Sequence, residues 1–343
     1  MAVTLKEVAQ HAQISIPAAS LILNGKGKTY SKDTNERVHE AARTLGYRPN
    51  LAARAARSGK FNAVGLLMSD HPCSSRISPQ LLQSILETLT ARDMHLTVSQ
   101  VSDEKLTDLK FLPKVLQQHM VDGMLINYTH DFPEQVTELI HESMLPAIWM
   151  NTPLASDCVY PDEIHSGQLA TQYLLDRGHR KITYIEFDGS EHYSRTDRRV
   201  GYETKMQDTG LHANHATFPT YYPKQVNDDP MSYQTHEQMC RWLKSLKKRP
   251  TAIVTYSPWE AQAMMYAAAL CGISVPKELS IVAIGDDVFS FMGTSITSAV
   301  LPLEEMGQSA VSLLLRKIAS PARKIRARKL KSTLVEAQTA RAV

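Results

Sequence analysis

Arg48, Arg54, Arg57 and Lys60 stand within YRPNLAARAARSGK, residues 47–60, with alanines at 52, 53, 55 and 56. Pro49-Asn50 can open a helix and Gly59 can close one. Alanine and arginine are strong helix formers, but so short a helix is marginal alone. Cations on such a segment suit a polyanion. The wider charge distribution implies the same polyanion. Residues 1–60 hold ten Lys/Arg and four acids, a net +6, whereas the remaining 28 basic and 31 acidic residues give −3. A small basic head on a slightly acidic body suggests that the head meets a polyanion.

The elements that carry this charge are legible. Thr4 and Glu7 form a capping box, followed by Leu5, Val8, Ala9 and Ala12 at helical spacing. Ser15 is a good N-cap, Pro17 sits harmlessly in the next first turn, and Asn24-Gly25 stop that second helix. A third helix starts at Ser31, carries the stripe Val38, Ala41, Ala42 and Leu45, and ends at Gly46. Two short helices joined by a tight turn and backed by a third predict a helix-turn-helix. The start of its second helix, Ser15, Ile16, Pro17, Ala18 and Ser20, is then the part that enters a major groove. The lookalike GKGKT at 25–29 is no P-loop, because Ile22 stands where the motif needs glycine.

From Asn62 onward apolar runs alternate with amphipathic stretches. AVGLLM, HLTVSQV, DGMLIN, PAIWMN, KITYIEF, TAIVTY and LSIVAIG are the expected strands, with LLQSILETLTARD and LKFLPKVLQQHM among the helices. That alternation predicts α/β architecture with parallel sheets, whose ligands bind beyond the carboxyl ends of the strands. The four cysteines, at 73, 158, 240 and 271, are scattered and include no C-x-x-C, so neither a disulfide framework nor a zinc site is expected. His212 and His215 are not spaced for one metal face, and His236 with Cys240 supplies only two ligands. No G-x-G-x-x-G, G-x-S-x-G or H-E-x-x-H occurs. No signal peptide or membrane span is evident, so a cytoplasmic protein without cofactor or metal, and not an enzyme, is expected.

At this point the chain resembles the LacI/GalR family of bacterial repressors. VTLKEVAQHAQIS and LILNGKG resemble the family's opening helix-turn-helix. ERVHEAARTLGYRPNLAARAARSGKFNAVGLL resembles its third helix, hinge and first core strand without a gap. VDGMLI, GHRKITYI, RRVGYE and VPKELSIVAIGDD follow in order, so the likeness runs nearly the whole chain. It implies an all-α helix-turn-helix headpiece over 1–46, a hinge helix over 47–59, and a core over 60–343. The core would have two Rossmann-like lobes resembling periplasmic sugar-binding proteins. DNA contacts would come from Thr4, Ser15, Ile16, Pro17, Ala18, Ser20, Asn24, Tyr47, Asn50, Arg54, Ala56 and Arg57.

Ala56 occupies the position of the family's minor-groove leucine wedge. Ala18, Ala19 and Leu21 replace the usual Thr, Val and Arg, and Gln13 replaces the usual turn glycine. Readout through Ile16 and Pro17, by apolar contact with thymine methyls, and an operator unlike the family's usual one are therefore expected.

The resemblance places an effector among Asp70 and the loop after it, Asn151, Arg198, and Asp286 or Asp287. Arginine supplies a fixed donor fork and an aspartate can accept two hydroxyls, a reasonable clamp for a carbohydrate or phosphosugar. Spacing does not choose between the two acids. Ile77-Ser78, Thr152 and Ser257-Pro258 differ from the family's usual cleft residues, and Trp149, Tyr160, Tyr256 and Trp259 are the nearest stacking candidates. The expected protein is a dimeric repressor on a near-palindromic operator, because the chain ends at LVEAQTARAV without the family's tetramerising heptad helix. A regulator whose degenerate cleft senses a partner protein, and an α/β enzyme with a DNA-binding head, are the alternatives. An Ala56→Leu variant is expected to bend operator DNA more sharply and bind it more tightly in a gel bending assay. A sharp kink already present with Ala56 would overturn the wedge argument and shift attention to Leu51.

Overall fold

The computed structural model describes the chain except for residues 1–2, 49–59, 71–74, 107, 109–120, 129–131, 133, 143, 189–191 and 220–232. The chain divides into two compact units, Met1–Phe61 and Asn62–Val343. The expected hinge helix, with Asn50, Arg54, Ala56 and Arg57, lies outside the described residues, as do the helix expected over 109–120 and residues 71–74 after Asp70.

In the first unit, α1 (Leu5–His11), α2 (Ile16–Leu23) and α3 (Lys32–Leu45) follow their caps closely. Thr4 and Glu7 close the capping box, Ser15 Oγ accepts from Ala18 N–H, and Ser31 Oγ accepts from Thr34 N–H. Gly46 ends α3 at φ +67°, a conformation that only glycine adopts without cost. Val8, Ala9, Ala12, Ala19, Ile22, Val38 and Ala41 form one small core, and Tyr47 packs against it. The GKGKT lookalike is a 3-10 turn, Gly27–Thr29, stitched down by Asn35, whose Nδ2 donates to the carbonyls of Gly27 and Tyr30.

The second unit has two lobes. The first-lobe strands are β1 (Ala63–Ser69), β2 (His95–Val101), β3 (Gly123–Asn127), β4 (Ala147–Met150) and β5 (Cys158–Pro161). Helices α4 (Pro79–Thr90) and α5 (Glu134–Glu142) lie between them in sequence. The second lobe follows with α6 (Glu163–Asp176), β6 (Ile182–Phe187), α7 (Tyr193–Asp208), β7 (Asn214–Phe218), α8 (Tyr233–Ser245), β8 (Ala252–Thr255), α9 (Pro258–Leu270) and β9 (Ser280–Gly285). After a short hairpin, β10 (Ser290–Phe291) and β11 (Thr294–Ser295), come β12 (Ser298–Val300), α10 (Leu303–Ala319), β13 (Arg328–Leu330) and β14 (Thr333–Val335).

The two sheets order as β13-β5-β4-β3-β1-β2 and β14-β12-β9-β8-β6-β7. Every pairing within them is parallel except β12 with β14. The described chain therefore passes between lobes after β5, after β12 and after β13. Helix α10 returns to the first lobe and packs on α4, β3 and β4. Central strands β3, β4, β6, β8 and β9 are buried at every position, which is why they read as unbroken apolar runs. Edge strands β2 and β7 keep exposed positions and read more weakly.

Cys240 and Cys271, scattered along the chain, meet across α8 and the C-cap of α9 with Sγ atoms 3.2 Å apart, both as free thiols.

The turn between α1 and α2 carries a measurable cost. Gln13 adopts φ +54°, where an L side chain crowds its own backbone. Gln13→Gly is expected to stabilise the head by about 1 kcal/mol. Slower hydrogen exchange at α1 and α2 amides in the full chain would show it, and faster exchange would refute it.

Candidate functional site

On α2 the helical period sorts the side chains by face. Ala19 and Ile22 turn into the head core, while Ile16 (43% exposed) and Leu21 (41% exposed) stand in solvent beside Pro17. Ala18, expected to face DNA, is buried at 7% exposure. It lies four residues before Ile22, so both fall on the inward face, and Leu21 occupies the outward position instead. Ser15 Oγ is spent on its cap, and Asn24 Nδ2 donates back to Ser20 O at 2.7 Å. Thr4 Oγ1 is bound to Glu7 at 2.8 Å. Hydrogen bonds from the Thr4 backbone and side chain hold the Glu7 carboxyl below its usual pKa. The exposed face is thus an apolar ridge of Ile16, Pro17 and Leu21, flanked by hydroxyls already engaged within the head. Lys32 and Arg37 pair loosely with Glu36 and Asp33 along α3, each at 3.8 Å. Lys6, Lys26 and Lys28 have no carboxylate partner among the described residues, which leaves their charge for phosphates. Tyr47 donates its N–H to Ala42 O at 2.8 Å and is half-buried.

In the second unit the candidate ligand residues stand at the carboxyl ends of both sheets. Asp70 follows β1 and is exposed. Asn151 follows β4 at φ +57°, and its carbonyl accepts from His192 Nε2 of the other lobe at 3.2 Å. Asp287 Oδ2 accepts from Gln80 Nε2 of the first lobe at 2.9 Å, and its Oδ1 from Val288 N–H at 2.7 Å. These two hydrogen bonds join the lobes across the cleft.

Asp286 is differently placed. Burial raises its carboxyl pKa, Arg198 opposes the rise, Glu163 adds to it, and Arg76 and a hydrogen bond from Ser78 oppose it. The two acids that spacing left open are both exposed and differ in engagement: Asp287 takes part in a lobe-to-lobe bond, and Asp286 feels the charges of Arg198 and Arg76.

Arg198 does not present the donor fork expected of it. It is 6% exposed, with Nε 2.7 Å and Nη2 2.8 Å from the two oxygens of Glu163 and Nη1 2.7 Å from Tyr256 O. The fork is turned inward because Glu163, at the start of α6, has no other way to be buried at 1% exposure. Arg198 acts on the cleft through its charge on Asp286. Helices α6 and α7 approach closely enough for this pair because Gly167 and Gly201 meet face to face. A Cβ on Gly167 would run into Arg198 O, and one on Gly201 into Ile164 O.

The remaining candidates divide. Trp149 is a core residue, 4% exposed and edge-on to Phe132. Tyr160 packs edge-on to Tyr193. Tyr256 OH bonds to Ser194 Oγ at 2.9 Å, and its ring lies 4.8 Å from the Arg198 guanidinium carbon. Thr152 Oγ1 donates to Tyr128 O at 2.7 Å. Arg76, Gln80, Glu163 and His192 were missed from sequence. Each meets its partner only across the cleft or between helices, so no local spacing marks it.

Ser257 and Pro258 do start α9, as N-cap and first-turn residue, with Glu260 completing a capping box. Glu260 is buried beneath the cleft, accepts from Phe187 N–H at 3.2 Å and Ser257 N–H at 2.9 Å, and burial raises its pKa to about 7.

A helix-turn-helix head on a two-lobed core that binds at the carboxyl ends of parallel sheets defines a ligand-responsive class of DNA-binding regulator. Comparison with known proteins makes the assignment specific. Residues 4–50 match the model for bacterial regulatory proteins of the lacI family, and residues 171–340 match that for periplasmic binding protein-like domains. The chain is 26% identical to the transcriptional regulator RegA of Clostridium saccharobutylicum, covering 92% of each protein. It is also 26% identical to the ribose operon repressor of Escherichia coli, covering 93% of this chain and 94% of that one. Its fold superimposes on the lac repressor dimer bound to operator and the anti-inducer ONPF with TM-score 0.78 at 21% identity, over the full length of both chains. A complex of the regulator CelR with cellobiose gives 0.63 at 22% identity, over 98% of this chain and 99% of that one. The chain joins a lacI-family DNA-binding domain to a periplasmic-binding-protein-like domain and is a DNA-binding transcriptional regulator.

Glu260 gives this core a pH dependence of defined sign. Its folded pKa of about 7 lies above the reference value of 4.5, so its contribution is fully present below pH 4.5 and is lost as pH rises through 7. The loss amounts to up to about 3 kcal/mol. Between pH 5 and pH 8, urea midpoints should fall more steeply for the native chain than for Glu260→Gln. Equal slopes would show that the carboxyl does not titrate in this window.

Proposed function

We propose that this regulator is a repressor whose operator affinity is set by a small polar effector, a carbohydrate or phosphosugar, held between its lobes. The observation that carries the reading is Asp286. It is an exposed acid just past β9 that feels the charges of Arg198 and Arg76, while Asp287 and Asn151 make hydrogen bonds between the lobes. A polyhydroxylated ligand would use Asp286 as a paired hydroxyl acceptor, Arg76 as a donor to a phosphate or hydroxyl, and exposed Asp70 at the rim. The cross-lobe bonds Gln80–Asp287 and His192–Asn151 are each worth on the order of 1 kcal/mol. A ligand touching both lobes can therefore shift their balance by competing with or reinforcing them. Because lobe arrangement sets the spacing of the two heads in a dimer, that shift becomes a coupling free energy between effector and DNA.

The dimer reading rests on α9, where Trp259, Tyr266 and Leu270 form an exposed apolar stripe at helical spacing. Two such chains related by a two-fold axis would present two heads to a near-palindromic operator, each reading its half-site through the ridge of Ile16, Pro17 and Leu21. The site of action is the cytoplasm, where the DNA is; among the described residues no helix is long and apolar enough to cross a membrane. The relatives are regulators and supply no reaction, so the core is read as a sensor and not as an enzyme.

Genome-wide footprinting of the protein would give the operator, and calorimetry against sugars and phosphosugars related to the neighbouring genes would give the effector. Asp286→Asn should lose effector binding at least tenfold while leaving effector-free operator affinity unchanged, and Asp287→Asn should retain effector binding and alter the DNA response. Loss of both activities together in Asp286→Asn would refute the assignment. No hit across the panel, with a protein recovered by pull-down, would favour the partner-sensing alternative. At the head, Leu21→Ala is expected to weaken operator binding about fivefold to tenfold, roughly 1 kcal/mol of apolar burial. An unchanged dissociation constant in a fluorescence anisotropy titration would remove Leu21 from the reading surface.

A further inference from the structure

The second lobe holds a cavity of about 330 Å³ on the side away from the cleft. It lies where β6 and β7 begin, and their other ends point to the cleft. Two basic segments distant in sequence, GHRKIT and LKKRP, converge there. Arg180, Lys181, Lys248, His212, His215 and Trp242 line it, and no Asp or Glu does. This is a local excess of positive charge on a core that carries net negative charge, so it is not a sample of the general surface.

Three features make the cavity a built site and not a scatter of lysines. Arg180 Nη1 donates to Leu175 O at 2.9 Å and His179 O at 3.0 Å, which fixes the guanidinium. Its Nε and Nη2 have no partner among the described residues. Arg180, Lys181 and Lys248 are exposed at the rim, and neither lysine has a carboxylate partner among the described residues. Trp242 is half-buried, and Phe218 stands edge-on to it at 5.7 Å, so its indole is a held wall. Exposed cations gathered around a concavity without a counter-charge attract an anion, and a fixed aromatic wall favours an anion that also carries a flat group.

We infer that this cavity binds a small phosphate-bearing molecule with a planar group, its phosphate among Arg180, Lys181 and Lys248 and its ring against Trp242. It is a second ligand site, on the opposite face of the lobe from the effector cleft, and it does not depend on the identity of the cleft ligand.

The test uses the full-length protein and three probes: inorganic phosphate, adenosine and AMP. Calorimetry in 150 mM KCl should show AMP binding at least tenfold more tightly than either phosphate or adenosine. Lys181→Gln/Lys248→Gln should weaken AMP at least tenfold. Trp242→Phe should reduce the advantage of AMP over phosphate. Asp286→Asn should change none of these values, which separates this site from the cleft. Circular dichroism melts matching the native chain would establish that the double variant is folded, and Lys248→Gln alone, expected to weaken AMP at least threefold, serves if it is not. AMP binding that survives the substitutions overturns the inference. So does binding that disappears in 150 mM KCl for all probes alike, since that marks diffuse attraction. If the double variant instead loses non-operator DNA binding with AMP unaffected, the patch is a nucleic-acid surface and the small-molecule site is wrong.

Discussion

The buried pair of Arg198 and Glu163 is the constraint on which the cleft depends. Two charges withdrawn from water are tolerated only when each satisfies the other with good geometry, and removing one partner of such a pair typically costs about 3–5 kcal/mol. Here the match is bidentate, and the third guanidinium bond goes to the carbonyl of Tyr256 just past β8. One side chain from α7 therefore fixes the start of α6 and the carboxyl end of the second sheet together. The pair exists only because α6 and α7 touch through Gly167 and Gly201. Side chains at either position would push the helices apart and strand both charges.

What this pair fixes, the cleft uses. Asp286 stands two residues beyond Ile284 on the last buried strand, within the field of Arg198. The bonds that join the lobes are of another kind. Each is a single hydrogen bond near the cleft mouth, weak enough for a ligand to exchange. A rigid charged anchor beneath a weak latch is the arrangement a sensor needs, since the binding surface stays organised while the lobes remain free to change their balance.

The head shows how far local chemistry reaches. Its caps at Thr4, Ser15 and Ser31 and its stop at Gly46 are legible because each involves residues within four positions of one another. The fully buried strands are legible for a similar reason: a strand covered on both faces is mostly apolar, with polar exceptions such as Glu186 and Asn127. Legibility fails first where helical phase matters. Ala18 and Leu21 are three residues apart, and only the packing of Ile22 against the other helices decides which of them turns outward. It fails altogether for Glu163, Gln80 and His192, whose partners are dozens to hundreds of residues away.

The sequence by itself determined the kind of protein. A basic helix-turn-helix, an alanine-rich basic segment at 47–60 suited to a hinge, and alternating apolar runs are properties of neighbouring residues, and neighbouring residues are bonded to the interactions that express them. Tertiary structure alone decided that Asp287 bonds the other lobe, which way Arg198 points, and that two basic segments share one cavity. Each of those is a contact between elements brought together by sheet order and by a chain that crosses between lobes after β5, β12 and β13. The energy of a buried charge depends on what surrounds it in space, and no spacing along the chain records that.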